Sequence, residues 1–104
     1  MIRKAFKMTV YPDRMDEYAD RHDPIWPELA ATLRQHGATN YSIFLDVETR
    51  TLFGYVEVRD EDLWTDLKDS EVCRKWWAFM KDVMETNPDN SPVSTDLREV
   101  FHLD

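Results

Sequence analysis

An α+β chain, with one antiparallel sheet beneath two helical regions in the order β-α-β-β-α-β, is predicted by two periodicities and a turn. Apolar residues alternate with polar ones in four stretches, as half-buried strands require. In two other stretches they recur at helical spacing. Val47-Glu48-Thr49-Arg50 reads as a hairpin connection between the two middle strands.

Residues 2–10 form the first strand. Ile2, Phe6, Met8 and Val10 point one way, and Arg3, Ala5, Lys7 and Thr9 the other. Tyr11-Pro12-Asp13 ends it, and Pro12 is placed to open a helix. Met15, Tyr18, Ala19 and His22 then share a helix face. Asp23-Pro24 interrupts, because proline disfavours helical geometry in the residue before it. Pro27 sits in the first turn of a continued helix, where its missing N–H costs little. Ile25, Leu29, Thr32 and Leu33 face inward, and Gly37 supplies the C-cap.

Asn40 to Asp46 alternates again, with Tyr41, Ile43 and Leu45 opposed to Asn40, Ser42 and Phe44. The returning strand, Leu52 to Val58, turns Leu52, Gly54, Val56 and Val58 to one side. Asp60-Glu61-Asp62 opens the second helical region, with acids where a helix N-terminus favours them. Leu63, Trp64 and Leu67 lie on a short first helix. Asp69 or Ser70 caps a second one, which carries Val72, Cys73, Trp76, Trp77, Met80, Val83 and Met84. Asn87-Pro88-Asp89-Asn90-Ser91-Pro92 is a rigid polar loop. Residues 95–103 read as the last strand. This order is ferredoxin-like. It leaves the second face of the sheet in need of cover, which a second copy of the chain would supply.

At 104 residues, with 42% hydrophobic composition and two glycines, residues 1–104 make one globular domain. The net charge of −8 repels phosphate backbones and anionic membranes, so neither nucleic acid nor membrane is expected as a partner. Cys73 is the only cysteine and reads as a small buried apolar residue in a reducing compartment. With no signal-peptide pattern and no apolar run of membrane-spanning length, the sequence reads as cytoplasmic.

The chemistry concentrates in Tyr18-Ala19-Asp20-Arg21-His22-Asp23-Pro24-Ile25-Trp26-Pro27-Glu28-Leu29. Tyr18 and His22 are one helical turn apart and can act on one small ligand. Imidazole titrates near neutrality, which suits His22 to giving and taking protons, and Asp20 and Asp23 are close enough in sequence to tune it. His36 suits a helix C-terminus, and His102 is a strand-face residue. Trp76 and Trp77 differ by about 100° on a helix, so one should pack while the other lines a cavity or an interface. Tyr41 can pack its ring and extend its hydroxyl to a polar partner. Flat aromatic faces suit the C–H patches of a sugar. No Gly-rich phosphate loop, no metal-ligand spacing and no nucleophile triad is present, which leaves proton transfer without a cofactor or plain binding.

The stretch Tyr18 to Leu29, the segment Val72-Cys73-Arg74-Lys75-Trp76-Trp77 and the run Met84 to Ser94 together resemble the L-rhamnose mutarotase family. The resemblance covers the whole chain. It implies a dimeric α+β barrel of ferredoxin-like subunits that interconverts the α and β anomers of L-rhamnose without cofactor or metal. It places the general acid on His22 and the sugar contacts on Tyr18, Tyr41, Trp76 and Trp77. Two rival functions use the same features. One is a non-catalytic sugar-binding or sensing dimer, in which His22 only hydrogen-bonds. The other is a cofactor-independent monooxygenase or haem-degrading enzyme on the same barrel fold.

Overall fold

The computed structural model describes residues 1–104. Its strands are β1 (Ile2–Thr9), β2 (Ala38–Asp46), β3 (Thr51–Val58) and β4 (Thr95–Leu97). Its helices are α1 (Met15–Arg21), α2 (Pro27–Gln35), α3 (Glu61–Thr65) and α4 (Glu71–Met80), with a 3₁₀ turn at Asp66–Asp69 between the last two. The sheet runs β2-β3-β1-β4 and is antiparallel throughout, which is the ferredoxin-like topology. No helix is long and apolar enough to cross a membrane.

Alternation decides which face the helices cover. Met8 opposes Leu52 and Phe6 opposes Gly54, so the even residues of β1 and β3 turn inward together. Leu52, Val56 and Val58 are almost wholly buried there, as the sequence predicts. Gly54 is required at its position, because a Cβ would collide with the Phe6 ring. β2 changes parity partway. The residues Asn40 and Tyr41 bulge between Thr39, which opposes Glu57, and Ser42, which opposes Tyr55. Asn40 takes φ 51° there and donates to Glu57 at 2.9 Å. The bulge lets Ala38 face the core on one side of it and Ile43 on the other, and it re-aims Tyr41.

The start signals of α2 and α4 act as read, whereas Pro12 opens no helix and α4 ends early. Pro12 belongs to a turn closed by Arg14 N–H donating to the Tyr11 carbonyl, so α1 begins at Met15. Pro27 starts α2, and Gly37 follows it at φ 89°. Ser70 caps α4 by accepting from the Cys73 N–H at 3.3 Å. α4 stops at Met80, earlier than the periodicity suggests. Val10 pairs with Met84, and Thr9 and Tyr11 bond to Glu85 and Val83, so strand-like capture by the end of β1 replaces the last helical turn. Val83 and Met84 are still buried.

The last strand is shorter than expected. Only Thr95–Leu97 joins the sheet, against Ala5 to Lys7. Residues 98–104 leave it, and Val100, Phe101 and Leu103 are each more than three-quarters exposed. Within one chain, no neighbouring element covers the apolar side of that segment. His102 pairs with Asp104 and belongs to no strand.

Candidate active site

Between the sheet's inner face and the helices lies a cavity of about 870 Å³. Its size falls within the rough range of ligand pockets, about 300–1,000 Å³. Tyr18, His22, Tyr41, Trp76 and Trp77 all line it. The structure therefore brings together every site residue expected from the sequence.

α1 supplies Tyr18 and His22. The helix unwinds at His22, whose N–H donates to the Ala19 carbonyl in a tighter turn. The two rings sit 4.5 Å apart, centroid to centroid, and α4 brings the Trp76 ring edge-on to His22 at 5.2 Å. Trp26 packs nearly perpendicular to Trp76 at 5.1 Å. Trp76 is buried and Trp77 half-buried, and both border the cavity. The expectation that only one would do so fails for a simple reason: a cavity beside α4 is wide enough to meet side chains 100° apart.

Tyr41 enters from the sheet, with Phe6 at 6.2 Å and Trp64 at 6.3 Å. Tyr41 is about one-third exposed and lines the cavity. Burial, aided by the Cys73 thiol, pushes this phenol up to about 12. Burial also raises Tyr18 far above the ordinary phenol value, with a smaller contribution from Tyr41. Both hydroxyls therefore stay protonated near neutral pH and act as hydrogen-bonding groups rather than phenolates. Cys73 is buried as predicted, and burial raises its thiol to about 11.

The His22 ring has one engaged nitrogen. Nδ1 lies 2.8 Å from the Tyr18 carbonyl, an acceptor only, so Nδ1 carries the proton and donates it. Nε2 makes no hydrogen bond within the protein. Burial lowers the His22 pKa from its ordinary value, and the bond to Tyr18 partly opposes that shift. Asp20 and Asp23, expected as tuning groups, have no part in it. His36 caps α2 and bonds to the Thr32 carbonyl, away from this chemistry.

The sequence reading missed the polar side of the cavity. Thr86, Asn90, Ser94 and Asp96 line it. The loop divides its polar groups: Asn87, Asp89 and Ser91 bond to one another and hold the loop, whereas Thr86, Asn90, Ser94 and Asp96 make no side-chain bond within the protein. The rigid run at 87–92 hints at such a wall, but only the fold shows which members turn inward.

The site is thus of one kind: a single imidazole with one unengaged nitrogen, aromatic walls and uncommitted hydrogen-bonding groups, an arrangement with the chemistry to meet a small neutral polyhydroxylated molecule. A family model described as L-rhamnose mutarotase matches residues 3–103. An L-rhamnose mutarotase of Oceanobacillus iheyensis is 61% identical over the full length of both chains. The crystal structure of an L-rhamnose mutarotase from Formosa agariphila superimposes with a TM-score of 0.93 at 46% identity, again covering all of both chains. A putative antibiotic biosynthesis monooxygenase from Nitrosomonas europaea superimposes at TM-score 0.64 with 11% identity, covering 97% of this chain and all of the other, and shares the fold alone. The chain belongs to the L-rhamnose mutarotase family.

Proposed function

We infer that this protein is an isomerase that interconverts the α and β anomers of L-rhamnose, and that His22 moves the proton. Mutarotation opens a cyclic hemiacetal. The anomeric hydroxyl loses its proton as its oxygen becomes the aldehyde carbonyl, and the C1–O5 bond breaks as O5 gains a proton. After rotation about C1–C2, the reverse steps close the ring on the other carbonyl face. Nothing is oxidised and no atom is lost, so a group that donates and accepts in turn suffices.

His22 fits that role because Nδ1–H is held by the Tyr18 carbonyl, which leaves Nε2 as the single exchanging position. The imidazolium donates to the ring oxygen from Nε2, and its lowered pKa makes it the stronger acid. Tyr41, Tyr18 or a water orients the anomeric hydroxyl, since both phenols remain neutral. Trp76 and Trp77 offer faces to the sugar and exclude bulk water. The polar wall of Thr86, Asn90, Ser94 and Asp96 supplies partners for the remaining hydroxyls.

The observation that carries this reading is His22 packed against both Tyr18 and Trp76 at the edge of one cavity. Saturation-transfer NMR on L-rhamnose tests it. The protein should accelerate anomer exchange, and His22→Ala should lose most of that rate, about 10²–10⁴-fold, with the fold intact. An unchanged rate in the variant removes His22 from the reaction. Tight rhamnose binding with no acceleration by the native protein leaves only a sugar-binding role.

The working unit is a homodimer. The outer face of the sheet pairs Phe44 with Phe53, and both are exposed, as is Leu97 on the same face across β1, on β4. Together with Val100, Phe101 and Leu103 they form apolar surface of the kind a second copy covers. The acidic sequence, with its single buried free cysteine, suits the cytoplasm.

A further inference from the structure

Arg21 immediately precedes His22, and its side chain is only 13% exposed. Its guanidinium makes four bonds. Nε donates to Glu17 at 3.1 Å, one turn back on α1. Nη1 donates to the Phe79 carbonyl at 2.6 Å and to Asp82 Oδ1 at 2.8 Å. Nη2 donates to Asp82 Oδ2 at 3.1 Å, which completes a bidentate pair. The guanidinium also lies 4.6 Å from the centre of the Phe79 ring.

The partners lie at the end of α4, whose last turn carries no basic residue of its own. Arg21 donates to a carbonyl of that helix terminus and neutralises Asp82 just beyond it. Phe79 packs against Trp76 at 5.6 Å and Trp26 at 5.3 Å, and Trp76 meets His22 at 5.2 Å. The connection from Arg21 therefore returns to the imidazole next to it in sequence. α1 has seven residues and buries only Tyr18. A helix that short does not hold its own position in water.

We propose that Arg21 is a positioning residue for the reaction: its clamp on Phe79 and Asp82 fixes α1 against α4, and so sets the angle at which His22 meets Trp76 and the sugar. This rests on the reading of His22 as the proton-transfer group. Lysine cannot reproduce the function, because an ammonium is a point charge without the planar fork.

Arg21→Gln, Arg21→Lys and Asp82→Asn test the proposal, each followed by anomer exchange at varied L-rhamnose concentration. A two-bond ¹H–¹⁵N spectrum reports which His22 nitrogen carries the proton. In Arg21→Gln, kcat should fall by about 10- to 100-fold, the range a misplacement of the order of 1 Å produces. Its spectrum should remain well dispersed while the Nδ1–H tautomer loses its dominance. Arg21→Lys should recover part of the rate, and Asp82→Asn should show a smaller fall in the same direction. Native kcat and tautomer ratio in the folded variants, with only a lower melting temperature, would overturn the proposal. If Arg21→Gln fails to fold, Asp82→Asn decides alone: its side chain is half exposed and not essential to packing, so native kcat there also overturns it. Full activity in His22→Ala would instead sink the reading of His22, while the tautomer ratio still reports on the clamp.

Discussion

Two apolar segments near the C-terminal end of the sequence have different fates. The first runs past the end of α4 to Val83 and Met84, and the second from Thr95 to Leu103. Both carry a regular apolar pattern. Val83 and Met84 leave the helix yet stay buried, because the backbone at Thr9 to Tyr11 pairs with theirs. Val100, Phe101 and Leu103 keep the alternation of a strand but have no neighbouring strand, and they stand in solvent in the isolated chain. The contrast teaches that patterning specifies which side chains require cover and leaves open what provides it. For the first segment the answer is the chain itself. For the second it is the second copy proposed above.

Substitutions can break or sharpen this contrast. The largest effect on stability belongs to the self-covered region. Leu52→Ala empties a site that is 1% exposed, and chemical denaturation should report a loss of about 2–5 kcal/mol at any protein concentration. Gly54→Ala is next. Its methyl group must displace the Phe6 ring, at about 1–3 kcal/mol, and because that ring also borders the cavity, KM for L-rhamnose should rise as well.

The third effect depends on pH. Burial disfavours the charged form of His22 in the fold, while the unfolded chain takes up the proton near the ordinary value of 6.5. Folding stability from this group is therefore complete above pH 6.5 and declines as pH falls below it, towards the lowered folded value. Protein titrations should show that decline in the native chain and its absence in His22→Ala. The smallest effect is expected in the tail. Phe101→Ser with Leu103→Ser should change the stability of separated protomers by no more than about 0.5 kcal/mol. The same pair should shift sedimentation toward monomer. Unaltered association would remove the tail from the dimer contact.

Much of this structure was legible from local rules. The inward face of β3 follows from Leu52, Gly54, Val56 and Val58 at every second position. The break between α1 and α2 follows from Asp23-Pro24, and the start of α4 from Ser70. Tyr18 and His22 meet because one helical turn separates them. The last strand is shorter than its alternation suggests, because alternation states a preference for burial and the pairing itself is made only between Thr95–Leu97 and Ala5 to Lys7.

The sequence by itself determined which residues seek burial, where α2 and α4 begin, and that one imidazole and several aromatic rings are available for a small ligand. Those properties arise between neighbours a few positions apart, where backbone geometry alone sets the relation. Only the tertiary structure decided that a bulge turns Tyr41 into the cavity, that His22 keeps Nε2 free, and that Trp76 and Trp77 both reach the site. It also joined Arg21 to Asp82 across 61 positions of sequence. Such pairings depend on how whole elements pack, and no short-range periodicity encodes them.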